Sequence, residues 1–404
     1  MTVASPVGRG PSSPESQSDL LGPTAKRPRL DTNVLDESYR STSSGKKTDL
    51  YKPGAYLAPM VRIGTLPTRL LALEYGADLV WGPEIVDRAI IGATRVVDEV
   101  TGTVSYTKNS GASLVWQTHP IEKSRLIYQI GSANKELALQ AAQTVAQDVS
   151  GIDLNCGCPK DFSLKGGMGA ALLKEPDKLC GILSHLVANL PSHPISAKIR
   201  LLPDQADTLS LVRKIVATGI SCLTVHCRTQ PMRSTEPALL HRLKEIVECV
   251  KSLREPVCPL PIVANGDCFG VCDMEKIKEV TGVSRVMIAR GAESNVSCFQ
   301  EGGNLCSSTE IMPLYIKVGL ITGQPYSNAK YCLGTMDVKS LKEKRKDEFD
   351  EKRSYKTMTR KQIKSGIQTC KDWSQLSKLF EIDIVETKKI SLHDLLPYTA
   401  SITT

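Results

Sequence analysis

The chain has 404 residues, 41% hydrophobic and 23% charged, with a formal net charge of +8 and a pI near 8.8. That length holds one large domain and a smaller one, in a composition ordinary for a soluble globular protein, and without a run of about 18 apolar residues no membrane span is expected. The positive balance favours an anionic partner such as nucleic acid without requiring one, while an aromatic share of 5% argues against recognition by stacking many bases.

Residues 1–10 lack the apolar core of a signal peptide, so secretion is not expected and the thirteen cysteines read as reduced thiols. They show no C-x-x-C pairing, and no metal site is expected. Residues 1–50 are rich in Ser, Pro, Gly and charge, the composition of a disordered tail. Within it, Lys26, Arg27 and Arg29 sit between and beside Pro23 and Pro28. This segment resembles a short nuclear-import signal and reads equally as a solvated basic patch, so the expected location is cytoplasmic with some nuclear presence.

From residue 55 the pattern changes. Apolar runs of strand length at 55–60, 78–84, 126–131, 151–155, 195–200, 222–228, 261–267 and 285–291 alternate with amphipathic stretches at 65–75, 135–148, 176–190, 207–217, 237–252 and 273–280. Residues 102–117 interrupt the rhythm and read as an inserted hairpin, with its turn at Asn109-Ser110-Gly111. Eight strands with helices between them predict a closed (β/α)₈ TIM barrel. A doubly wound sheet is the alternative, weakened because no G-x-G-x-x-G follows the first strand. After Gly291 the rhythm stops, and 312–321, 328–337 and 373–380 read as helices. The expected organisation is a tail (1–50), a barrel (51–304) and a helical domain (305–404). The charge-dense stretch 339–361 reads as a solvated helix surface.

Barrel enzymes work at the C-terminal ends of their strands. Here those ends carry Pro59-Met60, Glu84, Gln129, Asn155, Lys198 and Arg200, His226 and Arg228, Asn265-Gly266-Asp267, and Ala289-Arg290-Gly291. One such residue is an ordinary cap or turn; polar groups at nearly every end are more than an inert barrel needs. Asn265-Gly266-Asp267 and Arg290-Gly291 place small residues and a guanidinium where such barrels hold phosphate. Lys198, with Ile195, Ala197 and Ile199 beside it, is costly at a barrel mouth unless it meets an anion or reaches solvent.

The most specific stretch is Asp153-Leu154-Asn155-Cys156-Gly157-Cys158-Pro159-Lys160, followed by a glycine-rich continuation from Lys165 to Leu173. A cysteine between Gly and Pro just past a strand sits in a shaped loop, and the glycines after it would let that loop close over a substrate. Its thiol, ordinarily with a pKa near 8.5, can donate a proton at neutral pH.

Taken together, Leu57-Ala58-Pro59-Met60, Gln129-Ile130-Gly131, Asn155 to Pro159, Ala197-Lys198-Ile199-Arg200, Val225 to Thr229, Ala264-Asn265-Gly266-Asp267 and Ala289-Arg290-Gly291 resemble the successive motifs of the tRNA-dihydrouridine synthases. Asn328 to Leu333 in the tail is similar to the eukaryotic tRNA-dihydrouridine(20) branch. The resemblance implies an FMN enzyme that reduces the C5–C6 bond of a D-loop uridine, at position 20, in tRNA, with NADPH as reductant. It places the proton donor at Cys158. It implies flavin contacts at Pro59, Met60, Gln129, Lys198, His226, Asn265, Gly266, Asp267, Ala289 and Arg290, and uracil contacts at Asn155, Arg200 and Arg228. Cys156 departs from the family pattern, which carries a bulkier apolar residue there. No α-β-β-β-α pattern follows residue 340, so an appended double-stranded-RNA-binding domain is not expected, and a monomer is. The competing readings are an FMN barrel reductase of a small pyrimidine and an inactive tRNA-binding protein.

Overall fold

The computed structural model describes residues 47–254, 260–302, 304–338 and 354–401. The expected tail, with its basic segment at 23–31, lies outside the described residues apart from 47–50, as does most of the charge-dense stretch 339–361.

Alternation within short strands builds the molecule. In β9 (Ile195–Arg200), Ile195, Ala197 and Ile199 belong to the large core cluster, while Ser196, Lys198 and Arg200 take the opposite phase. The same split runs through β1 (Gly54–Leu57), β2 (Leu79–Trp81), β7 (Leu126–Gly131), β8 (Gly151–Cys156), β10 (Cys222–His226), β11 (Ile262–Asn265) and β12 (Arg285–Ile288). These eight strands pair in parallel in the order β2-β1-β12-β11-β10-β9-β8-β7, and β2 pairs with β7 to close the ring. The expected TIM barrel is the observed one. Inside it, Tyr51, Tyr56, Trp81, Ile127, Cys222, Val263 and Met287 form a separate cluster, with Tyr56 and Trp81 stacked at 5.6 Å. Side chains fill a barrel of this size, so it is a packed core and not a pore.

Several expected boundaries move for identifiable reasons. The first strand ends at Leu57: Ala58 N–H makes a last bond to the Ile288 carbonyl at 2.9 Å, and Pro59 has no N–H to continue. The eighth ends at Ile288 because Arg290–Ser294 turns helical. The helix expected from residue 207 starts at Gln205, where the Asp204 side chain caps the N–H groups of Ala206 and Asp207. That expected from 237 starts at His241, because the N–H groups of Ala238 and Leu239 instead reach Asp267 and the Cys227 carbonyl.

The expected hairpin is a three-stranded antiparallel sheet of β4 (Thr94–Val97), β5 (Val104–Lys108) and β6 (Ser113–Thr118). Every residue of β4 is exposed, so no alternation marks it in the sequence. The sheet is fastened by Arg95, whose guanidinium grips Asp148 at 2.7 and 2.8 Å, and by the Tyr106 hydroxyl, 2.6 Å from the same carboxylate. Between β2 and β7 a two-residue strand, β3 (Ile85–Val86), also pairs with β7.

After the barrel come helices Met312–Ile321, Tyr326–Thr335, Arg360–Thr369 and Trp373–Leu379. Met312–Ile321 packs on Leu66–Glu74, the first barrel helix, and the described residues all fall in one compact unit. Gln324 donates to the Tyr315 hydroxyl at 2.8 Å and to Thr65 at 3.2 Å. The Arg62 carbonyl accepts from Asn328, and its guanidinium lies over the Tyr331 ring at 3.7 Å. The loop after β1 is therefore tied to the helical segment.

Candidate active site

The inward phase of the strands is apolar at one end of the barrel and polar at the other. Gln129 on β7, Asp153 and Asn155 on β8, Ser196, Lys198 and Arg200 on β9, Thr224 and His226 on β10 and Asn265 on β11 all belong to it. Two side-chain systems grow from this set.

The first is a closed hydrogen-bond relay. Ser196 donates to Asp153 at 2.6 Å and Gln129 donates to its other oxygen at 2.7 Å. Asn155 donates to Gln129 at 3.0 Å, and its own carbonyl oxygen accepts from the N–H groups of Gly157 and Cys158, both at 2.9 Å. Burial raises the Asp153 carboxyl to about 6, against the hydrogen bonds that favour its charge. The relay shapes the loop that carries Cys158. Arg200 clamps the same loop, with Nε 2.7 Å from the Gly157 carbonyl.

Within the loop, Cys158 is half-buried, whereas Cys156 is fully buried in the helix-facing core, its Sγ 3.6 Å from the Leu154 carbonyl. Burial, then the neighbouring Glu84 carboxylate, pushes the Cys158 thiol up to about 11, so it is protonated at neutral pH. The glycine-rich continuation packs on this loop, with Ala170 N–H 3.0 Å from the Cys158 carbonyl. Gly169, at φ +58, tucks against the loop so closely that a Cβ would lie 2.6 Å from the Cys158 carbonyl oxygen.

The second system is cationic. Asp267, at φ +52, accepts from both Arg228 and Arg290, and its other oxygen accepts from Ala238 N–H at 2.6 Å. Burial would raise its carboxyl, but the hydrogen bonds from Arg228, Ala238 and Arg290 hold it below the usual range. Gly266 beside it stands at φ +125, and a Cβ there would meet that of Ala238 at 2.9 Å. His226 is driven down to about 2 by burial and by Lys198, Arg200, Arg228 and Arg290, so it is neutral. Burial and Arg200 lower Lys198 to about 8. Lys198 makes no hydrogen bond among the described residues, and the buried Thr224 hydroxyl on the paired β10 position has no partner either.

The structure brings Arg200, His226, Arg228, Asn265, Gly266, Asp267, Ala289 and Arg290 together around one cavity of about 180 Å³, which Met232, Ser234 and Cys268 also line. Gln129, Asn155, Lys198 and Cys158 stand on β7 to β9 and the loop after β8, and Pro59 and Met60 follow β1. Two of the expected base contacts are already engaged. Arg228 is 3% exposed, with donors on the Glu236 carbonyl, Asp267 and the Ser234 carbonyl. Asn155 holds Gln129 and the loop. Asp153, Ser196 and Glu84 were not singled out for a role from sequence. Polar residues at alternate positions of a buried strand, as in Asp153 and Asn155, are the signal that points to the first.

Three guanidiniums and an ammonium around one carboxylate leave net positive charge in a concave, partly buried site. That arrangement fits an anionic group such as phosphate. Beside it stands a protonated thiol.

Comparison with known proteins gives a consistent picture. The family described as Dihydrouridine synthase (Dus) matches residues 56–377. The tRNA-dihydrouridine(20) synthase (NAD(P)+) of Schizosaccharomyces pombe is 44% identical over 339 residues, 82% of this chain and 66% of its own length. The enzyme of the same name from Saccharomyces cerevisiae is 53% identical over 48% of this chain and 52% of its own length. The tRNA-dihydrouridine(20a/20b) synthase (NAD(P)+) of Saccharomyces cerevisiae is 34% identical over 70% of each. The chain thus spans between about half and two thirds of the length of the first two relatives.

Proposed function

Since the chain belongs to the dihydrouridine synthase family, which matches it over residues 56–377, we propose that it reduces the C5–C6 bond of a D-loop uridine in tRNA, at position 20. The cofactor of this reading is a flavin, FMN, with NADPH as its reductant; when bound, it supplies the hydride for C6. Arg290, Lys198 and Asn265 are the residues that would hold it, with Gly266 allowing close approach, and the surplus positive charge of the cavity suits its phosphate. Neutral His226 adds no further charge there.

The chain's own chemistry centres on Cys158. Its S–H bond breaks as the C5–H bond forms, and water returns the proton to sulfur. Arg200 keeps donors beyond those bound to the Gly157 and Thr229 carbonyls, and these face the edge of the base. Asn155 acts one step back, by holding the loop that presents the thiol. A uridine in folded tRNA must leave its stack to reach a barrel mouth, and the positive charge of the chain supports the phosphate contacts that position the RNA. The observation that carries this reading is a half-buried thiol, held protonated, beside a cationic cavity at the polar end of the barrel.

The test is a visible spectrum of the purified protein, then an assay on tRNA lacking dihydrouridine with NADPH. Flavin absorbance and dihydrouridine formed by wild type and Cys156→Ala, but not by Cys158→Ala, is the expected result. A yellow protein that reduces free uracil or orotate and ignores tRNA would overturn the substrate assignment. A colourless protein that binds tRNA would overturn the enzyme assignment.

A further inference from the structure

One residue at the barrel mouth stands in a backbone conformation that suits glycine and is nevertheless an arginine. β1 ends at Leu57, and residues 60–64 form a tight turn. In it the Met60 carbonyl accepts from the N–H groups of Ile63 at 3.2 Å and Gly64 at 2.8 Å. Arg62 sits inside that turn at φ +68, in the left-handed region. For a residue with a Cβ this conformation is uncommon and costs stability, and it persists only where the surroundings impose it. Here they do. The Arg62 carbonyl accepts from the Asn328 amide at 3.1 Å and from the Cys332 thiol at 3.3 Å, both on the helix Tyr326–Thr335. Those bonds hold the backbone and would hold a glycine as well. They leave the side chain unexplained.

That side chain is exposed, on the loop that leaves β1 at the same end of the strands as the cationic cavity. Its guanidinium lies over the Tyr331 ring, 3.7 Å from the centroid, so one face is covered and its direction is set. Among the described residues, none of its N–H donors meets an acceptor and no carboxylate pairs with it. Lys330, the residue next to Tyr331, gives the contrast: the Gln368 and Cys370 carbonyls engage its ammonium at 2.7 and 2.6 Å. Arg62 is a cation aimed by the fold with its donors left open.

We propose that Arg62, steadied by Tyr331, binds a backbone phosphate of the tRNA next to the nucleotide that enters the barrel. The inference rests on the reading of tRNA as the substrate. An extruded uridine leaves its flanking phosphates at the rim of the pocket. A guanidinium fork pairs two phosphate oxygens at once, and a ring behind it reduces the freedom lost on binding. Because the loop and the helix are joined at Arg62, one contact registers the RNA against both the barrel mouth and the helical segment. The contact reads no base; it fixes position.

Arg62→Gly isolates the side chain, since glycine accepts the left-handed backbone and both bonds to the carbonyl can remain. The full-chain holoprotein is titrated with a tRNA transcript lacking dihydrouridine, between about 50 and 200 mM KCl. Arg62→Gly is expected to raise Kd on the order of tenfold. It should also flatten the slope of log affinity against log salt by roughly 0.7 to 0.9, the value of one phosphate. Tm and the flavin spectrum should stay near wild type, and KM for tRNA should rise with kcat held. Tyr331→Leu, which removes the ring and keeps the charge, should weaken binding less and keep the slope. An unchanged slope in Arg62→Gly would overturn the phosphate contact, even where affinity falls because a base stacks on the guanidinium. A Tm lowered by several degrees in step with binding would make Arg62 a tether of the helix and overturn it as well. Wild-type protein that does not bind tRNA would instead remove the substrate reading on which the inference stands.

Discussion

Two arginine–carboxylate clusters in this molecule are built on opposite principles. Arg69 and Glu122 are both fully buried and paired through two bonds, at 2.8 and 2.6 Å. Arg69's remaining donors reach the carbonyls of Gly64 and Gln117, each at 2.8 Å, and Thr118 donates to Glu122. One charge meets one charge, and the cluster joins the first barrel helix to the inserted sheet. At the barrel mouth, Asp267 serves Arg228 and Arg290 at once, with Lys198 and Arg200 near. The first cluster is complete as it stands. The second leaves more positive charge than its own carboxylate balances.

The largest expected effect breaks the closed cluster. Arg69→Ala leaves a buried carboxylate without its partner and should lower the unfolding free energy by about 3 to 5 kcal/mol. Urea denaturation measures this; a loss under about 1 kcal/mol would show that the pair is replaceable by packing. Next comes the open cluster. If the proposed FMN is bound there, Arg290→Ala should weaken its binding by about ten- to a hundredfold, the range for a charged hydrogen bond, while stability changes by less than about 1 kcal/mol because the side chain is 38% exposed. Fluorescence titration of FMN reads the first quantity; an equal loss of stability would place Arg290 with Arg69 instead. The smallest effect sharpens the contrast through pH. His226 is held to about 2, below its ordinary value near 6.5, so the unfolded chain takes up its proton first. Stability should therefore fall as pH drops below about 6.5, by at most about 1.4 kcal/mol per pH unit from this residue. His226→Gln removes that contribution. Thermal unfolding of the two proteins at pH 7.5 and 5.5 checks it, and parallel losses would exclude it.

The barrel was legible because burial fixes the phase of a parallel strand. In β9 the apolar Ile195, Ala197 and Ile199 leave Ser196, Lys198 and Arg200 only the interior, and the same reasoning brings His226 and Asn265 to one mouth. What stayed hidden was how each polar group is satisfied. Nothing in the spelling of Asn155 says that its amide is taken by Gln129 and by two backbone N–H groups. Nor does Arg228 announce that it is closed off by Asp267 and two carbonyls. Glu84 reads only as the end of a strand, and its burial depends on β7 changing partners after Trp81. The sheet strand at Thr94–Val97 was invisible for a simpler reason: four exposed residues carry no pattern.

The closure of the ring has a consequence in time. Gly54–Leu57 finds one of its two partners only at Arg285–Ile288, roughly 230 residues later in the chain. At the usual pace of synthesis, about 5 to 20 residues per second, the outer edge of the first strand waits roughly 10 to 50 seconds for it. A later segment binds back further still, when Thr399 N–H reaches Glu74 at 2.9 Å. Through that interval an apolar strand edge stands open on the ribosome, so the nascent chain needs shielding long before the finished barrel needs none.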